Sequence, residues 1–126
     1  MQMDRPLEPH RRLIVWQRAM ELALESQNLA NRLPPRERQY LGSQIRRAAL
    51  SVPANIAEGN GRHHRGDQSR FLSIARGSLM ELDTHLELAV RIGSLRSHET
   101  AKARALIGNI SLLLTRLARA IRPLSP

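Results

Sequence analysis

A proline lies inside a segment that otherwise has the pattern of an amphipathic helix. From Leu41 to Ile56 the apolar positions recur with the period of an α-helix, and Pro53 falls within this run. A proline inside a helix removes one backbone hydrogen bond and costs about 3 kcal/mol, so the fold must compensate for it. Because the apolar period resumes in phase at Ile56, the sequence predicts that Pro53 kinks this helix and does not end it.

The residues available for a core favour helices packed on helices. Hydrophobic residues make up 41% of the 126-residue chain, but only Trp16, Tyr40 and Phe71 are aromatic. The core must therefore be built from Leu, Ile, Val and Ala. This length suits a single domain, 1–126, and we expect residues 1–11 to form a short flexible N-terminal arm.

The composition also excludes several classes of protein. The chain contains no cysteine, which excludes disulfides, thiolate metal sites and a thiol nucleophile. The N-terminal residues lack the apolar stretch of a signal peptide, and no apolar run approaches the roughly 20 residues of a membrane span. We therefore expect a cytoplasmic protein without membrane association.

The apolar periodicity divides the chain into four long helices. Their predicted ranges are 13–33, 36–59, 68–92 and 97–122. Prolines 34 and 35 end the first helix, and Gly93 ends the third. We expect Asp67 to cap the third helix, and a left-handed glycine at Gly59 or Gly61 to end the second. Four long helices joined by short turns predict an all-α, antiparallel up-and-down four-helix bundle.

The first and third helices carry more apolar surface than one core needs. On the first helix, Met20 and Leu24 fall on one apolar face and Leu22 falls on another. On the third, Ile74 and Leu88 belong to a stripe offset from the inward face. Large exposed apolar patches are unusual on soluble monomers, so the pattern predicts a homo-oligomer. Contact between two different patches would close a ring.

Polar residues interrupt the apolar surfaces at a few positions. Arg47 and Glu58 share a face of the second helix with small residues, and the favoured interpretation pairs them in a polar network between helices. In the alternative, Arg47 and Asn55 contact phosphates or base edges. On the third helix, Glu81 interrupts the offset stripe in heptad register, which is typical of a residue that fixes the register of an interface.

The net charge of +9 suggests a polyanionic partner, most commonly nucleic acid. Only Lys102 among the 20 basic residues is lysine, and a GC-rich genome would also explain this arginine bias. The excess charge lies in the second and fourth helices and in the loop after the second. The predicted nucleic-acid-binding residues are Arg62, His63, His64, Arg65, Arg104, Arg116, Arg119 and Arg122. Arg104, Arg119 and Arg122 are expected opposite the apolar arc of the fourth helix.

The sequence proposes neither a catalytic site nor a metal site. His63 and His64 are adjacent, so they lack helical metal-ligand spacing, and no nearby carboxylate or cysteine completes a shell. No serine has a nucleophile-elbow context, and paired acids for hydrolysis are not evident. We therefore expect no cofactor, no metal and no enzymatic activity, and an RNA-processing enzyme is the least favoured function.

Several motifs occur in a fixed order along the chain. They are Val15-Trp16-Gln17 with Ala19-Met20, then 43–48, Pro53 to Gly59, and 75–82 around Arg76, Gly77 and Glu81. Together they resemble the 23S rRNA-intervening sequence protein family, which is related to the accessory variability determinant of diversity-generating retroelements. The loop from Arg62 to Arg65 is more basic and richer in histidine than the resemblance leads us to expect.

The resemblance implies a four-helix protomer, commonly in a pentameric ring. It assigns structural or interface roles to the motif residues Arg47, Pro53, Asn55, Glu58, Gly59, Arg76, Gly77 and Glu81. In the retroelement branch it also implies binding to nucleic acid and to a reverse transcriptase.

Two functions therefore compete. The first is a non-enzymatic oligomeric scaffold that binds RNA or DNA through arginines, with low sequence specificity and steep salt dependence. The second is a protein-interaction adaptor, for example an accessory subunit of a reverse transcriptase, whose positive charge meets an acidic protein surface.

Overall fold

The computed structural model of the chain describes residues 9–121, and these residues form helices and no strand. A 3₁₀ turn at Pro9–Arg12 precedes α1 (Ile14–Arg32), a short α2 (Pro35–Glu37) and a π-helical turn at Arg38–Gly42. Next come α3 (Ser43–Asn60), α4 (Arg65–Arg91), a 3₁₀ turn at Ser97–Thr100 and α5 (Ala101–Ile121). Four long helices are confirmed, and none within the described range is long and apolar enough to cross a membrane.

Pro53 lies inside α3, so the prediction that the helix continues through it is confirmed. The proline cannot donate the hydrogen bond that the carbonyl of Ala49 would otherwise accept. Pro53 is itself buried, as are Val52 before it and Ile56 after it. Burial of this apolar face against the other helices offsets the missing bond, which is how the fold tolerates the proline.

The four long helices surround one hydrophobic core. α3 packs against α1 and α4, and α5 packs against the same two helices. The guanidinium of Arg46 in α3 donates to the Asn31 side-chain oxygen in α1 across 2.6 Å, and the Ser78 hydroxyl of α4 donates to the Ser51 hydroxyl of α3 across 2.7 Å. Each of α1 and α4 therefore lies between α3 and α5, and the two occupy opposite corners of the fold.

The structure decides which apolar face of α1 belongs to the core. Leu22 and Leu29 are fully buried, whereas 39% of Met20 and 67% of Leu24 remain exposed. On α4 the offset stripe is also exposed, since Ile74 lies outside the core, as do the other two stripe residues, Leu88 and Ile92. The surplus apolar surface predicted for these two helices is therefore present on opposite corners of the protomer.

Two predicted helix ends are wrong. α4 begins at Arg65, so Asp67 lies in its first turn, and the capping position belongs to His64 without a side-chain hydrogen bond. Gly61 has a φ of −81° and its N–H bonds to the carbonyl of Ala57, so α3 ends in helical geometry and not with a left-handed glycine. The predicted glycine stop at Gly93 is confirmed, because its φ is +84°.

Gly59 lies at a close contact between α3 and α4. A Cβ at this position would lie 3.1 Å from the Phe71 Cβ and 3.3 Å from the Gln68 carbonyl oxygen. Gly59 is buried at this contact. Because it has no side chain, α4 can pack closely against α3, and Gly59 continues the helix instead of ending it in a turn.

We expect Gly59→Val to lower the free energy of unfolding by about 1–3 kcal/mol, because the added carbons overpack the contact with α4. Gly108 provides the control, since it lies in α5 and a Cβ built there would have no atom within 4 Å. Gly108→Val should change stability by less than about 0.5 kcal/mol. Urea unfolding measures both, and equal losses for the two variants would contradict the account of Gly59.

Candidate nucleic-acid interface

The loop between α3 and α4 is short, exposed and tied to both helices. Residues 61–64 are all exposed, and the side-chain amide of Gln68 donates to the Arg62 carbonyl across 2.8 Å. The Arg62 guanidinium donates to the carboxylate of Glu58 one turn earlier. His63 and His64 project from this tethered loop into solvent. The loop therefore presents its basic side chains from a fixed backbone.

Phe71 supports two of the arginines near this loop. The guanidinium carbon of Arg62 lies 4.8 Å from the centre of the Phe71 ring, and that of Arg70 lies 4.7 Å from it. A cation over an aromatic ring at this distance is attracted by the ring quadrupole. Phe71 thus holds both charges close to the loop while the arginines stay solvent-exposed.

The last turns of α5 lie beside the same loop. One small pocket joins the end of α3, the start of α4 and the end of α5, and its lining residues are Ile56, Gly59, Asn60, Gln68, Leu72, Leu117 and Ile121. Arg116 and Arg119 flank this part of α5, and both are exposed. The described structure gives neither of them a hydrogen bond or ion pair. We call this region, residues 56–72 and 114–121, the basic end.

The basic end has a strong excess of positive charge. It contains five arginines and only two carboxylates, those of Glu58 and Asp67. α5 has no acidic residue between Ala101 and Ile121. Six of the eight predicted binding residues, namely Arg62, His63, His64, Arg65, Arg116 and Arg119, are thus brought together here. Arg122 lies outside the described residues, as does most of the predicted arm at 1–11.

Arg104 occupies a different part of the molecule. Its guanidinium donates to the carboxylate of Glu87 in α4 across 2.6 Å, and Arg91 donates to the other oxygen of that carboxylate across 2.8 Å. Only 33% of the Arg104 side chain is exposed, and its buried Nε has no partner within the described residues. Arg104 therefore joins α4 to α5 and does not project opposite the apolar arc, because Glu87 offers it a partner across the helix contact.

The two arginines depress the pKa of Glu87. The hydrogen bond from Arg91 is the largest cause, that from Arg104 follows, and together they hold the pKa below its ordinary value of 4.5. A carboxylate whose pKa is lower in the folded than in the unfolded chain contributes stability above the unfolded pKa. That contribution disappears as the pH falls through the lower, folded pKa.

We expect Glu87→Gln to make protein stability depend less steeply on pH below 4.5 than in the wild type. Some dependence should remain, because the Arg96 backbone N–H also lowers the pKa of Glu99. Glu25→Gln is the control, since Glu25 makes no ion pair within the described residues. Thermal unfolding across this pH range is the measurement, and an unchanged pH profile in Glu87→Gln would contradict the role of this carboxylate.

The motif residues on α3 make polar contacts that differ from those of the favoured interpretation. Glu58 pairs with Arg62 one turn later, and Arg47 is exposed without an ion pair within the described residues, so the predicted Arg47–Glu58 pairing is wrong. The Asn55 amide instead donates to the carbonyl and the hydroxyl of Ser51, which accepts a hydrogen bond from α4. Asn55 therefore acts at the α3–α4 contact.

The motif residues on α4 divide between a helix contact and the surface. Arg76 donates to Thr115 Oγ1 across 2.8 Å and to Ser111 Oγ across 3.4 Å, which joins α4 to α5. Gly77 and Glu81 are exposed, and no atom lies within 4 Å of a Cβ built at Gly77. The surface around Gly77 is thus open to a close approach by another helix.

Sequence reasoning missed Arg70 and Phe71 as parts of the basic end. The signal was the i, i+1 placement of a cation and an aromatic residue eight positions after Arg62, but only the fold shows that Phe71 contacts both arginines. Within residues 9–121 no group of three histidine, cysteine, aspartate or glutamate side chains is placed to hold a metal ion. The chemistry of the basic end is therefore that of arginine, imidazole and hydroxyl groups.

Comparison with known proteins identifies the fold and the family. The chain is similar to a crystal structure from Bacteroides thetaiotaomicron, described as a protein of unknown function from the S23 ribosomal protein family. The TM-score is 0.77 at 26% identity, covering 84% of this chain and 99% of the other. No curated protein matches the chain. The family model for the 23S rRNA-intervening sequence protein matches residues 11–116, and the chain belongs to this family.

Proposed function

We propose that this protein is a non-enzymatic, oligomeric scaffold that binds RNA or DNA with low sequence specificity. The observation that carries the proposal is the basic end, where exposed arginines from a loop and two helices adjoin with few carboxylates. Arginine side chains of this kind contact phosphates, which position a nucleic acid without reading its sequence. Its site of action would be the cytoplasm.

The proposal includes an antiparallel up-and-down arrangement of the four helices. Asn31 near the end of α1 meets Arg46 near the start of α3, and Gly59 near the end of α3 meets Phe71 near the start of α4. In such an arrangement the turn at Pro9–Arg12, which packs against α3, lies toward the basic end. It would add two further arginines, Arg11 and Arg12, to the surface that meets nucleic acid.

Assembly of protomers into a ring is the second part of the proposal, and a pentamer is the number that the family resemblance favours. The exposed apolar residues on α1 and those on α4 lie on opposite corners of the protomer. Two different patches on opposite sides favour head-to-tail contacts, which close into a ring when the rotation allows it. A ring would repeat the basic end once per protomer and so multiply its phosphate contacts.

Binding to oligonucleotides of different sequence tests the low specificity. Labelled RNA and DNA strands of equal length and scrambled sequence should bind with dissociation constants within about threefold of each other, because phosphate contacts dominate the affinity. Fluorescence anisotropy at one fixed salt concentration is the measurement. A preference of more than about a hundredfold for one sequence would contradict the proposal, since that discrimination requires contacts to base edges.

A protein-interaction adaptor is the second candidate function, and the exposed Leu50 and Leu112 favour it. These leucines are 64% and 50% exposed on α3 and α5, the two helices between the corners that the ring would use. They would contact a partner protein, such as a reverse transcriptase, whose acidic surface meets the arginines. Failure of every oligonucleotide to bind, with retention of the oligomer, would favour this function over the first.

A further inference from the structure

An open groove runs between the first half of α4 and the last half of α5. Its volume is about 290 Å³, and its lining residues are Ser69, Arg76, Thr115, Ala118 and Arg119. Two arginines and two hydroxyl-bearing residues therefore line one concave surface. This side of α4 is separate from Phe71, which packs toward α3 at Gly59.

The positive charge of this groove is not neutralised by any carboxylate that lines it. α4 has no acidic residue between Asp67 and Glu81, and α5 has none over its whole length. Arg76 is half-buried, and its hydrogen bonds within the described structure go only to neutral hydroxyls. A partly desolvated charge without a counter-charge is costly, and an anion in the groove would relieve this cost.

The hydrogen bonds of the groove hold Arg76 in place and leave part of its guanidinium available. The Thr115 hydroxyl donates its single hydrogen to the Ser111 carbonyl across 3.0 Å and accepts from Arg76. This orientation of the hydroxyl fixes one edge of the planar guanidinium, which carries five N–H donors in all. The donors that remain, with exposed Arg119 nearby, match the oxygens of a tetrahedral anion.

We propose that this groove binds a phosphate group, with Arg76 and Arg119 as its cationic ligands and Ser69 as a hydroxyl donor. The inference rests on the proposed function, because it assigns the groove to the backbone phosphates of a bound nucleic acid. It also gives Arg76 a role as a ligand in addition to its contact between α4 and α5.

Phosphorus NMR of inorganic phosphate tests the groove on the full chain. Wild-type protein should broaden the phosphate line, and Arg119→Gln and Arg76→Gln should each weaken binding by about tenfold, because each removes a charge-assisted hydrogen bond. Arg36→Gln removes the same charge from an exposed site on α2 and should leave binding unchanged. Arg76→Lys keeps the charge without the planar fork, and its effect should fall between those of wild type and Arg76→Gln.

Thermal unfolding of each variant separates a loss of binding from a loss of structure. Arg119→Gln decides the matter if Arg76→Gln unfolds, because Arg119 is exposed and makes no bond within the described structure. If the phosphate line stays broadened in both Arg119→Gln and a folded Arg76 variant, the proposed phosphate site in the groove is contradicted. Loss of broadening in Arg36→Gln to the same extent would also overturn it, since binding would then follow net charge alone.

A single-stranded RNA oligonucleotide distinguishes the source of the phosphate. Excess RNA should displace inorganic phosphate and narrow its line, and RNA that binds without displacing phosphate would overturn the assignment to the backbone. In another outcome, the Arg76 and Arg119 variants bind inorganic phosphate as strongly as the wild type, and RNA still binds. This result contradicts the phosphate site in the groove and remains consistent with the proposed function. Phosphate binding that depends on both arginines, with no binding of the RNA or of a DNA strand of equal length, supports a phosphate site in the groove and contradicts the proposed function.

Discussion

Replacing Arg116 and Arg119 together by glutamine is expected to reduce the steepness of the salt dependence of RNA binding by about two, one for each phosphate that the variant no longer neutralises. The affinity at moderate salt should fall by roughly ten- to a hundredfold for the same reason. Both arginines are exposed on the last turns of α5, so the fold should tolerate their replacement. Anisotropy titrations with a labelled RNA at several salt concentrations give the slope.

The matched control removes two arginines from the other end of the protomer. Arg36 and Arg96 are exposed near the contact where Arg32, the last residue of α1, pairs with Glu99. The double glutamine variant at these positions has the same net charge as the Arg116 and Arg119 double variant. If it flattened the salt slope equally, RNA binding would depend on the overall charge and the basic end would have no special role.

Leu24→Glu and Leu88→Glu are each expected to prevent assembly of the proposed ring. Each substitution places a charge in one of the two apolar patches, and burial of an unpaired charge at an interface is costly. Light scattering should then show mass falling to that of the 14.3 kDa protomer at micromolar concentration. Leu112→Glu is the control, because 50%-exposed Leu112 lies on α5, away from both patches.

A mixture of the two variants distinguishes head-to-tail contacts from a symmetric dimer interface. A Leu24→Glu protomer keeps its α4 patch, and a Leu88→Glu protomer keeps its α1 patch, so one intact contact can form between them. We expect the mixture to form a dimer that cannot close into a ring. A wild-type protein that is strictly monomeric, or a mixture that stays monomeric, would contradict this mode of assembly.

The helical periodicity of the apolar residues is enough to predict most of the fold from the sequence. The predicted ranges of the first and third helices differ from the observed ones by at most three residues. The predicted second helix, 36–59, also takes in most of α2 and the π-helical turn before α3, and the predicted fourth, 97–122, takes in the 3₁₀ turn before α5. The in-phase return at Ile56 correctly indicates that α3 continues through Pro53. Burial of Leu22 in place of Leu24 could not be predicted, because both faces of α1 are apolar in the sequence. Which apolar face of α1 is buried depends on the positions of α3 and α5.

The spacing of residues along one helix does not predict which side chains pair with each other. Arg47 and Glu58 share a face, but they lie three turns apart, and Arg62 reaches Glu58 from one turn away. From the sequence, Arg104 is predicted to be a solvent-facing cation on α5. Only the fold shows that Glu87 of α4 lies beside it and pairs with it. The composition of the basic end was predicted in large part, since the loop and the end of α5 were both identified by their charge.

The most direct test of the proposed function is the salt dependence of RNA and DNA binding by the unmodified chain. We expect the logarithm of the association constant to fall linearly with the logarithm of salt concentration, with a slope of at least about three in magnitude, from several displaced counterions. RNA and DNA of equal length should give similar slopes. Binding that keeps its strength from low to high salt would contradict the account.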